Sequence, residues 1–406
     1  MKHVAIIGGG LAGLTCAYAL KRRGIESTVF ESGTKAGGRD AAALYLLAPD
    51  LFRDTFALLG NLGLADEVIP ISTHAGQLYK GRVYHHRVAS AAGLLAFKGL
   101  NIADKALLPR MAYLLARHGS SLDFHHPERG LEFDGETVAS YVKRQLSQNV
   151  LNYVAGPLIS TLFFYGSDET SAWLYMILAK HMYHVRMSTV RGGINRITRR
   201  LSEGLRLVTG RPVTRLITED HSYVVGEERF SDVVIAVPGD AVLGIDGMRA
   251  LLSDEDRKFF DDCRYQRVVS VEVWTQRPVD GGCYAVTIPR VEDLSAGAIS
   301  FHDYIDPSRA PDGQGRLTIS GGGPTVTADT LLDNLGKVYR IEPQTTDTFE
   351  WSSGMAKFPP GRYRQIAQFN ARQRRPGLFF CGDYLLGPVI EGAVTTGLRA
   401  ADAIRA

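Results

Sequence analysis

The sequence predicts an α/β fold: a parallel sheet flanked by helices, interrupted by a second unit of mixed α+β character. Three features of the 406-residue chain carry that expectation. Residues 4–33, VAIIGGGLAGLTCAYALKRRGIESTVFESG, read as strand, glycine turn, helix and strand. Residues 377–404, GLFFCGDYLLGPVIEGAVTTGLRAADAI, read as a buried strand, a loop and a closing helix. Between them lie a stretch of helical patterning and a stretch of strand-like runs.

The opening strand, Val4 to Ile7, is wholly apolar, the pattern of a strand covered on both faces of a parallel sheet. Gly8, Gly10 and Gly13 then fit G-x-G-x-x-G, small and apolar positions continue at helical spacing to Leu20, and Gly24 is placed to end the helix. A second strand, Ser27 to Phe30, ends at the acidic Glu31. Each residue type has a reason in a Rossmann-type unit. Gly8 permits the tight turn, Gly10 lets backbone approach a pyrophosphate, and Gly13 allows close helix–strand packing. The N–H groups of the helix start, at Leu11 and Ala12, face the phosphates, and Glu31 accepts from ribose hydroxyls. The strand–turn–helix–strand–acid order predicts a bound dinucleotide.

Beyond the acid, SGTKAGGRD places Gly37, Gly38 and Arg39. Here the sequence resembles the flavin-containing amine oxidase, protoporphyrinogen oxidase and phytoene desaturase superfamily, in which such a segment lies along FAD. Further segments match in order: VRGGINRITRRL at 190–201, RPVTRLITEDHSYVVGEERFSDVVIAVPG at 211–239, and the closing stretch with Gly382, Asp383, Glu391, Gly392 and Ala393. The resemblance implies non-covalent FAD held by Gly8, Gly10, Leu11, Ala12, Gly13, Glu31, Ser32, Gly38 and Arg39, with Val213 at the adenine. It implies Asp383 at a ribitol or phosphate-side hydroxyl. The first turn of the last helix, at Glu391, Gly392 and Ala393, is then expected at the pyrimidine edge, where the helix dipole favours negative charge.

That assignment makes the FAD-binding domain discontinuous: residues 1–71, 190–245 and 350–406. The substrate domain is expected from 72–189, a helical cap part, and 246–349, a sheet part with the strand-like runs VVSVEVWT, CYAVTIP, AISFHDY and GRLTISGG. LTISGGGPTV lacks the helix start and acid of a second dinucleotide fold, so a separate NADPH domain is not expected.

Departures from the resembled pattern bear on the chemistry. Ser270 falls where amine oxidases of the family carry a lysine, Ser353 where a tethering cysteine stands, and Gly354 and Val389 where two cage aromatics stand. Simple amine oxidation is therefore not expected. The resemblance points to the protoporphyrinogen oxidase and desaturase side: hydride removal from a C–H bond of a fairly large, mostly apolar small molecule, with oxygen or another external acceptor reoxidising the flavin. The alternatives are a redox-neutral isomerase or mutase, an amine oxidase lacking lysine and cage, and a non-catalytic FAD-binding partner protein. Phe164, Tyr165, Tyr384 and His302 are candidates for the pocket, with core packing as the competing reading; no catalytic base is assigned. His181 and His184 read as helix surface or core, and His125-His126 as a solvated loop. After Arg39 the family's usual loop is shortened to an alanine triplet.

Composition narrows the classes. A net charge of +3, with Lys and Arg spread along the chain, does not indicate nucleic acid. Four cysteines without a CxxC pair indicate neither a zinc site nor a disulfide scaffold, and no metal-ligand set is assembled. No signal-peptide pattern and no run of about eighteen apolar residues is present, so a soluble cytoplasmic protein is expected. The stretch 92–117, with Lys98, Lys105, Arg110 and Arg117 among apolar residues, reads as a helix on the core, with membrane-surface contact as the less favoured alternative. Oligomeric state is not legible.

Overall fold

The computed structural model describes residues 2–39, 46–87, 90–182, 186–219, 222–311, 313–372 and 375–405. Two sheets organise it. The first is parallel throughout and has five strands in the order Leu378–Phe380, Asp232–Ile235, His3–Ile7, Glu26–Phe30 and Arg206–Val208. Val4 to Ile7 are buried, as a central strand covered by helices on both faces requires. The helix Leu11–Arg22 packs chiefly against the closing helix Ile390–Ala403. That closeness depends on glycine: a Cβ on Gly13 would lie 2.0 Å from the Gly8 carbonyl oxygen, and one on Gly397 2.4 Å from that of Ala12.

The sheet draws its strands from residues 3–30, 206–235 and 378–380, which are far apart in sequence. The 211–239 stretch differs from expectation in detail. Residues 211–214 carry no regular structure, and a separate three-stranded antiparallel sheet (Ile217–Glu219, Ser222–Val225, Glu228–Phe230) precedes Asp232–Ile235.

The second sheet has seven strands in the order Thr345–Ala356, Tyr265–Thr275, Gly315–Gly322, Ala296–Phe301, Ala285–Thr287, His74–Tyr79 and Arg82–Arg87. Two of the sequence boundaries need correcting here. The hairpin His74–Arg87 belongs to the sheet rather than to a wholly helical first part, joining it through parallel pairing of His74–Tyr79 with Ala285–Thr287. The boundary at 350 falls inside Thr345–Ala356, which pairs along most of Tyr265–Thr275. Both errors have one cause: strand partners are chosen by side-chain fit between distant segments, which local patterning does not record.

Helices cap this sheet. Gly156–Phe163 packs on strand Ala296–Phe301, and Ala328–Val338 packs on Tyr265–Thr275 and Gly315–Gly322. Ile102–Arg117 and Val138–Gln145 pack on Ala172–Met182, whose residues Ala172–Ala179 are buried without interruption. The outer face of 91–117 exposes Leu95, Ile102 and Tyr113, Ile102 at 87%. None of the described helices is long and apolar enough to cross a membrane. The alanine triplet after Arg39 and His184 lie outside the described residues.

Candidate functional site

A cavity of about 880 Å³ is lined from both sheets. At one end stand Gly8, Gly10, Leu11, Ala12, Glu31, Ser32, Gly38, Arg39, Gly382, Asp383 and Ala393. The fold thus brings together residues spread over nearly the whole chain. Gly13 packs beneath the turn rather than lining the space, and Val213 lies half-buried outside the lining.

This end is made largely of backbone. Helix Leu11–Arg22 starts at Gly10 with no side chain capping it, so its first N–H groups are left for a ligand. Helix Ile390–Ala403 likewise starts uncapped at Val389, and Val389 and Ile390 line the cavity. Open space surrounds the Cα of Gly10, where a Cβ would meet nothing within 4 Å, so a ligand can approach that backbone. Glu31 receives the Gly9 amide at 2.8 Å on one oxygen and the Gly33 amide at 2.7 Å on the other. The Ser32 hydroxyl donates to the same carboxylate at 3.2 Å, which leaves about one of its four acceptor positions for a ribose hydroxyl.

Arg39 and Asp383, expected at separate points of a cofactor, meet each other. The guanidinium lies 2.9 Å from the Asp383 carboxylate and also donates to the Gly354 carbonyl at 2.8 Å. This pair joins the loop after the first acid to the loop before the last helix. Ser353 donates through Oγ to Asp240 at 2.7 Å. At Gly354 a Cβ would lie 2.8 Å from the Val268 side chain, so the position rejects any larger residue, a ring included.

Glu391 does not line the cavity. It is fully buried and turned away from it, accepting from the Asp54 amide (2.8 Å), the Thr55 amide (2.9 Å) and the Thr55 hydroxyl (2.6 Å). Its fourth partner is His125 Nε2, at 2.6 Å. Gly392 is absent from the lining as well; its backbone presses against Gly387, whose oxygen lies 2.2 Å from where a Cβ would stand. His125 therefore corrects the expectation of a solvated loop. It is 7% exposed, and Arg399 binds its carbonyl at 2.7 Å. The sequence alone had no signal for this, because the partners lie 266 residues apart. Asp54, His125 and Glu391 place possible metal-ligand atoms within 4.8 Å of one another, a set the sequence did not assemble. Each is already engaged: Thr395 donates to Asp54 at 2.6 Å, and Glu391 has four donors. The cluster reads as a tie between the cap and the closing helix.

Of the four pocket candidates only Phe164 lines the cavity, in a left-handed backbone conformation (φ 60°) at the end of Gly156–Phe163. Tyr165 is buried behind it, its hydroxyl donating to the Ala356 carbonyl at 3.2 Å, and burial pushes its pKa up. Tyr384 packs among Phe259 and Phe260, and burial raises its pKa too. His302 is buried behind the cavity wall, 2.6 Å from Thr318 Oγ1, with its pKa well below the usual value because of burial and then of Arg309 and Arg316. These three rings are core because their neighbours close over them, which their aromatic or titratable character did not reveal. His181 does line the cavity, its pKa lowered first by burial and then by Lys180. No lysine or cysteine is among the described lining residues, and all four cysteines are buried and free.

Comparison with known proteins gives four further findings. The family profile of flavin containing amine oxidoreductases matches residues 11–405. Coproporphyrinogen III oxidase of Bacillus subtilis is 20% identical over 462 aligned positions, covering 98% of this chain and 97% of that protein. Protoporphyrinogen oxidase 2 of Arabidopsis thaliana is 26% identical over 168 residues, 39% of this chain, and the match spans about a third (32%) of the plant enzyme's length. Among solved structures, cyclohexylamine oxidase from Brevibacterium oxydans is similar with a TM-score of 0.78, at 19% identity, covering 99% of this chain and 98% of that one.

Proposed function

Since the chain belongs to the family of flavin containing amine oxidoreductases, we propose that it is an oxidase or desaturase that holds FAD non-covalently and removes hydride from a C–H bond of a fairly large, mostly apolar small molecule. Oxygen or another external acceptor takes the electrons onward. The observation that carries this reading is the single cavity with two unlike ends: a nucleotide end of backbone amides and an end walled by cap helices.

The residues present fit FAD. Two uncapped helix N-termini meet the cavity, and the remaining acceptor capacity of Glu31 suits the adenosine ribose. The chemistry FAD supplies when bound is hydride acceptance and later release of the electrons. The Leu11 and Ala12 amides would hold the pyrophosphate, with Arg39, itself fixed by Asp383, supplying the nearby positive charge. The Ile390 amide, at the start of its helix, would favour negative charge on the reduced ring.

The end away from the nucleotide orients the substrate and keeps water out. Helices 148–163 and 172–182 contribute Val154, Leu158, Leu162 and Leu178, and no lysine is in the described lining. The apolar lining favours binding by shape and desolvation.

The test is direct. Purified protein is expected to be yellow and to release FAD into the supernatant on acid precipitation. Anaerobic bleaching of the flavin, screened over porphyrinogens, polyenes, amines and polycyclic compounds, should single out a large uncharged substrate. A colourless protein that takes up no FAD, or bleaching by small amines alone, would overturn the reading.

A further inference from the structure

The cavity wall facing the cap helices is the seven-stranded sheet, and its pairing sets polar side chains in line. Ser270 pairs with Ser320, Ser320 with Ala298, Ala298 with Thr287, and Thr287 with Gln77. Four neutral polar side chains thus occupy one line across five adjacent strands, about 19 Å at roughly 4.8 Å per strand. Two residues along the same face, Thr318 pairs with Ser300. All six polar residues line the cavity.

Their hydrogen bonds leave this wall both donating and accepting. Ser270 Oγ and Ser320 Oγ lie 2.7 Å apart, so only one of the two hydroxyl protons is used between them. Gln77 donates to the Tyr153 carbonyl at 2.9 Å, which fixes its amide and leaves its oxygen as an acceptor. Thr318 is backed by neutral His302. No charge stands in the row. Glu272, next in line beside Thr318, is held by Arg316 at 2.6 Å and does not line the cavity. The facing helices offer mostly hydrocarbon, Leu158, Leu162 and Leu178 among it, with Thr161, Tyr175 and His181 as their polar members.

We infer that this wall recognises a neutral, hydroxyl-bearing edge of the substrate: hydroxyl groups spaced along a flat and otherwise apolar skeleton. The inference rests on the proposed oxidoreductase site and names its substrate class. A plain hydrocarbon would strip water from the hydroxyl row without replacing those hydrogen bonds. An ammonium or carboxylate would meet no counter-charge within the row itself, Arg87 and Glu350 lining the cavity outside it.

Two steroids of one skeleton, progesterone and the more hydroxylated hydrocortisone, test it beside dodecylamine and dodecanoate. Binding is read by thermal shift on the purified protein, with and without added FAD. Hydrocortisone is expected to bind at least about tenfold tighter than progesterone, because the row rewards added hydroxyls. The double variant Thr287→Val/Ser300→Ala should abolish that preference while holding progesterone within about twofold and flavin content unchanged. Binding of progesterone, dodecylamine or dodecanoate as tight as hydrocortisone overturns the inference. So does a panel in which no neutral probe binds, or a double variant that keeps the preference. Failure of the FAD reading shows separately, as absent flavin uptake in a protein that still ranks the probes.

Discussion

The parallel sheet and the antiparallel-rich sheet reach one cavity with different parts of the chain. The first presents backbone: two uncapped helix starts and glycines that bring peptide groups close to a ligand. The second presents side chains in register, Ser270, Ser320, Thr287 and Gln77 on one line. The backbone site tolerates little change at Gly8 and Gly13, where a Cβ would collide with peptide atoms that cannot yield. A side-chain site can change occupant by changing a residue, leaving the strand geometry intact. On the proposed reading, the cofactor half is therefore rigid in chemistry, and the substrate half is where specificity can be rewritten.

The tie between the halves offers the largest break. Glu391→Ala strands His125 and the Asp54 and Thr55 amides in a buried place, and should cost about 4 kcal/mol of stability in denaturant melts. A loss below about 1 kcal/mol would show that cap and closing helix do not depend on this carboxylate. Next is Gly13→Val, which forces the first helix away from Gly8 and should weaken FAD binding roughly hundredfold, about 2.8 kcal/mol. Measured flavin content with unchanged far-ultraviolet circular dichroism would place that loss in the cofactor half alone.

A smaller effect joins two loops within that half. Arg39→Met and Asp383→Asn should each weaken FAD binding, and the double variant should show coupling of about 1–2 kcal/mol, discounted because a third of the arginine is exposed. Full additivity would mean that the pair acts on the cofactor independently. The smallest break is on the substrate side. His302 has its pKa depressed below 6.5 by burial, so the fold holds it neutral. Its contribution is then whole above pH 6.5 and is lost as pH falls below that value, by up to about 1.4 kcal/mol per pH unit. His302→Gln should flatten the stability–pH curve between pH 6.5 and 5; an unchanged slope would assign it to other groups.

These halves also differ in how far the sequence revealed them. Gly8, Gly10, Leu11, Ala12 and Glu31, read from a local turn, helix start and strand end, stand around one space with Arg39 and Asp383, which only the family resemblance pointed to. Glu391 was misplaced for the same reason: the first-turn pattern fixed its position on the helix, but not the side to which its carboxylate turns. Val213 lies outside the cavity because its segment is irregular where a strand was expected. Tyr165, Tyr384 and His302 had the chemistry of a pocket and the surroundings of a core. The hydroxyl row had no signature at all, since serine and threonine in a strand read as ordinary surface.

By itself the sequence determined the parallel sheet, the nucleotide-binding turn and the order of the flavin-family segments, because glycine spacing and apolar runs act between near neighbours. Only the tertiary structure decided that the 74–87 hairpin completes the large sheet, that His125 is buried against Glu391, and that six neutral side chains form one cavity wall. Those outcomes depend on pairing between segments up to hundreds of residues apart. Strand register and burial are settled there by packing and hydrogen bonding across the whole molecule.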